Sequence, residues 1–417
     1  MPVLLLAEAT RPCVCEQIDG QLRAYATGPC PTDCAPWRGA GANLFDLFWC
    51  ASSGQAMGTS CSFADSSEQL ATAKAAGIRY ARFFAADWGP NKAWWVTHET
   101  QYWAEFDRLW AQMDASGLSV IPSLGTDDWD KVANAVTPGL NETANDYVRN
   151  TTSIGRQLAV RYVSTFVQRY ANRSSILLWE LGNELNLQVN LPPPWCGDDQ
   201  CFGTDEMVAF TKVLADAIRS ADRAGHRPIS SGFSAPRPSA WHQEHCPLHG
   251  ACAADPTSKG YWAVDTRSQW LGMLRAQHAA VGVWSMHLYD SATCFFEDCV
   301  KGAAVVEAAA REATDAHALL FVGEYGGPAP HYTGPSADDQ AFPQALLDLQ
   351  VADAQADGAF GLSALWAWEC PTHRTDMVCV WPGSTVKNES GSDAMVSMLQ
   401  QANAQLGHRM AGDSEPE

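Results

Sequence analysis

Basic residues are scarce in this chain of 417 residues. Lys and Arg number 27 against 47 Asp and Glu, a formal balance of −20 at neutral pH. A chain this acidic is repelled by phosphate backbones and anionic lipid, so nucleic acid and membrane are excluded as partners. No apolar stretch approaches the length needed to span a bilayer. No Gly-rich phosphate loop follows the first apolar run, which speaks against nucleotide binding. A neutral substrate and a monomer fit what remains.

Cysteine is abundant. Of 14 cysteines, ten fall in close pairs: Cys50/Cys61, Cys196/Cys201, Cys246/Cys252, Cys294/Cys299 and Cys370/Cys379. Cys13, Cys15, Cys30 and Cys34 sit near the start. Close pairs in irregular stretches read as loop-stapling disulfides of a secreted, extracellular protein. The sequons at Asn141, Asn150, Asn172 and Asn388 agree with export. A rival reading places zinc at His242, His245 and His249 with Cys246 and Cys252; the lack of a CxxC there disfavours it. The opening MPVLLLAEA has a short apolar core without a basic start, and reads as a signal-peptide remnant or an artificial start.

One beat recurs along the chain: an amphipathic stretch, a small residue, then an apolar run. The runs are Asn43–Trp49, Arg79–Ala85, Leu118–Gly125, Ser175–Glu184, Arg227–Ser234, Gly282–Tyr289, Ala318–Glu324 and Gly361–Trp368. Helical stripes lie between them, as at Ile154, Leu158, Tyr162, Phe166 and Tyr170. Eight wholly apolar strands alternating with helices predict an α/β fold, a (β/α)8 TIM barrel with disulfide-stapled long βα loops. Residues 1–42 would form an N-terminal segment whose hairpin around Asp19-Gly20 caps the barrel. Residues 43–407 would form the barrel and 408–417 a disordered tail.

Two runs end in glutamate: Glu184 in SILLWELGNEL and Glu324 in ALLFVGEYGG. A carboxylate at the mouth of a buried strand sits where its pKa can be moved. A pair of them is what glycosidic hydrolysis requires, one to donate a proton and one to attack the sugar carbon. Glu180, four residues deeper than Glu184, reads instead as a buried partner of an arginine. The chain also holds 17 Trp. Trp88, Trp94, Trp95, Trp129, Trp195, Trp241, Trp262 and Trp381 fall in post-strand loops, where flat rings can bind sugar faces or pack the loops.

These residues in this order resemble glycoside hydrolase family 5 of clan A. WELGNELNL is similar to the clan's acid/base motif and FVGEYGG to its nucleophile strand. WSMHLYD resembles the family's sixth-strand His-x-Tyr, RYARFF its second-strand arginine, SALWAWE its eighth-strand tryptophan and GANLFDLF its first strand. The resemblance implies a retaining β-glycoside hydrolase without a cofactor or metal. Glu184 would be the acid/base and Glu324 the nucleophile. Arg82, Asn183, His287, Tyr289, Trp366 and Trp368 would line the substrate site. VIPSLGTDDW lacks the histidine many family 5 cellulases carry there, and WEL and HLY lean towards an endo-β-1,4-mannanase. A β-1,4-glucanase, an exo-β-glycosidase and a non-catalytic carbohydrate-binding barrel are the alternatives.

Overall fold

A computed structural model of the chain describes residues 11–17, 22–25, 34–55, 61–86, 91–126, 128–192, 201–222, 227–245, 260–289, 293–326, 337–368 and 392–407. The opening nine residues, the Asp19-Gly20 turn, the tail after Gly407, Trp88, Trp195, Trp381, Asn388, Cys30, Cys196, His249 and the pairs Cys246/Cys252 and Cys370/Cys379 lie outside the described residues.

Eleven strands are described: β1 (Cys13–Gln17), β2 (Leu22–Tyr25), β3 (Cys34–Pro36), β4 (Gly39–Asn43), β5 (Tyr80–Phe84), β6 (Ser119–Ser123), β7 (Trp179–Glu180), β8 (Ile229–Ser230), β9 (Val283–His287), β10 (Leu319–Tyr325) and β11 (Phe360–Leu365). The last eight, β4 to β11, close into a parallel barrel in sequence order, with helices in the connections. This is the (β/α)8 architecture. The stripe around Leu158 and Phe166 forms helix Ile154–Tyr170, whose Ser153 side chain caps the Arg156 amide. Among the described residues, no helix is long and apolar enough to cross a membrane.

The first barrel strand is not where the apolar pattern put it. Asn43–Trp49 was expected, but the strand is Gly39–Asn43, and Leu47–Ala51 is helical. The strand is built of Gly and Ala because large rings lie against it. A Cβ on Gly41 would stand 2.5 Å from the Tyr80 ring, and one on Gly39 2.0 Å from Trp37. Small residues leave no apolar run to read.

Strand alternation divides the core in two. Tyr80, Ile121, Leu178, Val283, Leu319, Phe321 and Leu362 fill the barrel interior. Their neighbours Ala81, Val120, Trp179, Trp284, Leu320 and Val322 face the helical layer. Val14 of β1 and Trp37, after β3, join the interior cluster. The Trp37 amide donates to the Val14 carbonyl at 2.7 Å, so Val14 and Trp37 reach the interior cluster side by side. Cys50–Cys61 and Cys294–Cys299 are bonded, with Cα atoms 4.8 and 4.3 Å apart. Cys13, Cys15 and Cys201 are also disulfide-bonded. No described cysteine is free.

Candidate active site

Polar residues interrupt the interior one layer above the apolar floor. On β5 the inward positions run Tyr80, Arg82, Phe84. Arg82 is fully buried, and such a charge is tolerable only if its donors are met. They are. Nε donates to Glu180 at 2.8 Å, Nη1 to Asn43 at 2.9 Å and to Glu324 at 2.7 Å, and Nη2 to Asn183 at 2.7 Å. Glu180 is thus the buried arginine partner, as its depth in the strand implied. Its charge stays paired below the mouth, leaving Glu184 and Glu324 as the mouth carboxylates.

A local irregularity aims Glu324. On β10, Leu319 and Phe321 point inward while Leu320 and Val322 point outward, so strict alternation would send Glu324 towards the helices. The pairing of β10 with β9 shifts register between Val322 and Glu324. That bulge turns Glu324 into the mouth. Its Oε1 accepts from Arg82, and its Oε2 accepts from the Tyr289 hydroxyl.

Glu184 is placed by a different device. Its backbone has φ +52°, a left-handed conformation uncommon outside glycine. Its amide donates to the Gly232 carbonyl at 2.7 Å, and the Asn183 amide donates to the Gly125 carbonyl at 2.9 Å. Gly232 must be glycine: its φ is +67°, and a Cβ there would stand 1.9 Å from the Gly182 carbonyl oxygen. Close approach of the chain after β8 holds the segment carrying Asn183 and Glu184 over the barrel.

The two glutamates meet at His287. Its Nδ1 lies 3.0 Å from Glu184 Oε1 and 3.4 Å from Glu324 Oε1. One ligand atom from each of the three side chains falls within 4.8 Å of the others. Such a set has the donors for a metal ion, but Arg82 already supplies positive charge to Glu324 Oε1 at 2.7 Å. Burial lowers His287 to about 4, so the ring is neutral at neutral pH. Burial raises Glu184 above the ordinary carboxylate range, against the charge of Arg82 and a hydrogen bond from Ser234. Burial also raises Glu324, opposed by His287, Arg82 and the Tyr289 hydroxyl and reinforced by Glu184. Contact geometry separates the pair in one respect: Glu324 touches the Arg82 guanidinium besides His287 and the Tyr289 hydroxyl, whereas Glu184 touches His287 and accepts from Ser234. The guanidinium favours the ionised form of Glu324.

Asn183 turns its Oδ1 to Arg82. Trp366 is partly exposed at the mouth and stacks on Phe45 at 4.9 Å between centroids. Trp368 does not belong to the site. It is fully buried, and its Nε1 reaches Thr72 of helix Phe63–Ala75 at 3.3 Å. β11 ends at Leu365, so strand alternation does not set the direction of Trp368.

Most described loop tryptophans pack rather than display. Trp94, Trp95 and Trp129 are buried, whereas Trp262 is 59% exposed. Of the zinc candidates only His242 and His245 are described; Cys246, His249 and Cys252 lie outside the described residues. His242 Nδ1 pairs with Asp265 at 2.6 Å and His245 Nδ1 faces the Trp241 carbonyl.

Fold and site together define a TIM barrel with a close carboxyl pair at the C-terminal mouth of strands four and seven. Solved structures of this shape include a glycoside hydrolase family 5 mannosidase from Rhizomucor miehei, 13% identical, with a TM-score of 0.57 over 89% of this chain and 94% of that one. An endo-β-1,4-mannanase from Thermotoga petrophila is 14% identical, with a TM-score of 0.56 over 91% and 78%. An endo-1,4-β-mannanase from Rhizomucor miehei is 16% identical, with a TM-score of 0.55 over 90% and 98%. At such identity the likeness is one of fold. No family model matches the chain, and no curated protein does.

Proposed function

We propose that the chain is a retaining β-glycoside hydrolase of family 5 type, acting on a β-linked polysaccharide. One observation carries this reading: oxygens of Glu184 and Glu324 lie within 4.8 Å of each other. Retaining pairs stand about 5–5.5 Å apart, whereas inverting pairs leave room for a water at roughly 6.5–9.5 Å. In the first step Glu324 attacks the anomeric carbon while Glu184 protonates the departing oxygen, and a glycosyl-enzyme forms. In the second step Glu184 takes a proton from water, which displaces Glu324 with net retention. Asn183 donates its amide to the sugar 2-hydroxyl, Tyr289 and Arg82 hold the nucleophile ionised, and His287 supports Glu184.

An endo-β-1,4-mannanase is the favoured substrate assignment, supported by the WEL and HLY segments and by likeness to mannanase folds. Likeness to a mannosidase keeps an exo mode as the second reading. Paired cysteines support secretion, and the sequons at Asn141, Asn150 and Asn172 are exposed.

Anomeric analysis of the product on mannan, glucomannan, cellulose and mixed-linkage glucan tests the proposal. Retained configuration is expected. Glu324→Ala should abolish turnover, with azide or formate restoring a product of inverted configuration. Glu184→Ala should keep its first step on substrates with good leaving groups, and azide should rescue it with retention. An inverted native product, or near-normal activity in both variants, overturns the assignment.

A further inference from the structure

A polar cavity opens beside Glu184. It lies between the loops that follow β7 and β8 and is walled by helices Ala240–His245 and Arg267–Gln277. Ser234 forms part of its wall and hydrogen-bonds the Glu184 side chain. The volume is about 100 Å³. A single water needs only about 10–15 Å³ of such space, so the cavity takes a larger polar group.

Its lining is rich in donors and holds no Asp or Glu. Gln243 is 1% exposed, and its Nε2 is buried with no hydrogen-bond partner among the described residues. Gln277 gives its amide oxygen to Asn186 at 3.1 Å, so its Nε2 remains available as a donor. Arg237 donates to the carbonyls of Val189, at 3.1 Å, and Leu187, and makes no ion pair with any described carboxylate. An arginine with no counter-charge among the described residues, beside an unmet buried amide, gives the cavity donors in want of an acceptor.

The geometry points to an oxyanion site: the pocket receives a carboxylate or sulfate ester carried by the sugar unit on the leaving-group side of the scissile bond. This rests on the proposed glycosidase reading, since Glu184 as acid/base is what makes its side of the mouth the leaving-group side. Arg237 supplies charge, and Gln243 and Gln277 supply amide donors to the oxyanion. Within that reading, the β-glycan favoured by this pocket carries an acidic or sulfated substituent on the leaving-side unit.

The test compares three oligosaccharides with the same backbone. One is neutral, one has a hexuronate at the leaving-side unit, and one has a sulfate ester there. For the wild type, kcat/KM on the matching acidic substrate should exceed the neutral value about tenfold. The uronate and sulfate arms decide which oxyanion is taken. Arg237→Gln should remove that advantage while leaving the neutral substrate within about twofold, and Arg237→Lys should restore part of it. Because Arg237 also ties down the 187–189 backbone, Gln243→Leu serves as a second variant that keeps this tie; it too should lower only the acidic arm. Equal rates on all three substrates, or equal losses on acidic and neutral ones, overturn the site. If the wild type hydrolyses none of them, the glycosidase reading fails and calorimetric titration of the same oligosaccharides judges the pocket alone. Arg237-dependent binding of an acidic one upholds it as an oxyanion site, and no such binding refutes it.

Discussion

Arg82 and Glu324 are in contact at 2.7 Å, with side-chain exposures of 0% and 5%. The guanidinium serves two buried carboxylates, Glu180 below and Glu324 above, as well as Asn43 and Asn183. One side chain therefore couples the stability of the barrel to the ionisation of its mouth. Removing it strands two buried acids. Arg82→Met should lower stability by about 3–5 kcal/mol near neutral pH, the cost of breaking a buried pair. It should also abolish activity. Denaturant melts should show part of the loss recovered at acid pH, where the stranded carboxyls protonate; an unchanged midpoint would sink the argument.

Trp366 and Trp368 should part company under mutation. Trp366→Ala removes a partly exposed ring at the mouth and should cut kcat/KM strongly with little change in melting temperature. Trp368→Ala empties a fully buried site against helix Phe63–Ala75 and should cost about 3–5 kcal/mol, with kcat preserved in the folded fraction. Paired kinetics and melts on both variants distinguish floor from core.

Activity should follow a bell in pH. Glu324 must be ionised, so kcat/KM falls as pH drops through its pKa. Glu184 must be protonated, so kcat/KM also falls as pH rises through its pKa. Burial raises both, which places both limbs above the ordinary carboxylate value of about 4.3. Glu184→Gln, assayed on an activated substrate, should lose the alkaline limb and keep the acid one.

Two buried histidines set a separate pH dependence, that of stability. Burial lowers His278 and His287 to about 4. In the unfolded chain both titrate near 6.5, so between those values the unfolded state binds more protons. Their contribution is complete above about pH 6.5 and is lost as pH falls towards 4. Melting temperature should drop across that window. His278→Gln, far from the carboxyl pair in role, should flatten the drop; an unaltered slope would exclude this source.

What the sequence discloses depends on what each residue must do locally. Glu184, Glu324 and the Arg82–Glu180 partnership are legible because each acid or base interrupts an apolar run, and charge in such a run needs a reason. The strand Gly39–Asn43 is hidden, since space taken by Trp37 and Tyr80 leaves room only for small residues there. Trp368 lies past the end of β11 at Leu365, where no strand period tells which way its ring turns. The bulge that aims Glu324 falls at Gly323, where a Cβ would stand 2.9 Å from His287; a lone glycine inside a strand is the mark such a bulge leaves. Gln243 and Gln277 look like solvent-facing helix positions; their burial arises from loops distant in the chain.

The side chains from Tyr80 to Leu362 fill the barrel axis, and Val14 and Trp37 extend that packing, so the barrel has no bore. Traffic is therefore one-sided. Under the proposed function a glycan reaches the carboxyl pair from above and its fragments depart the same way, so no strand of polymer is threaded through the axis. The floor can also be rebuilt for rigidity without blocking an exit.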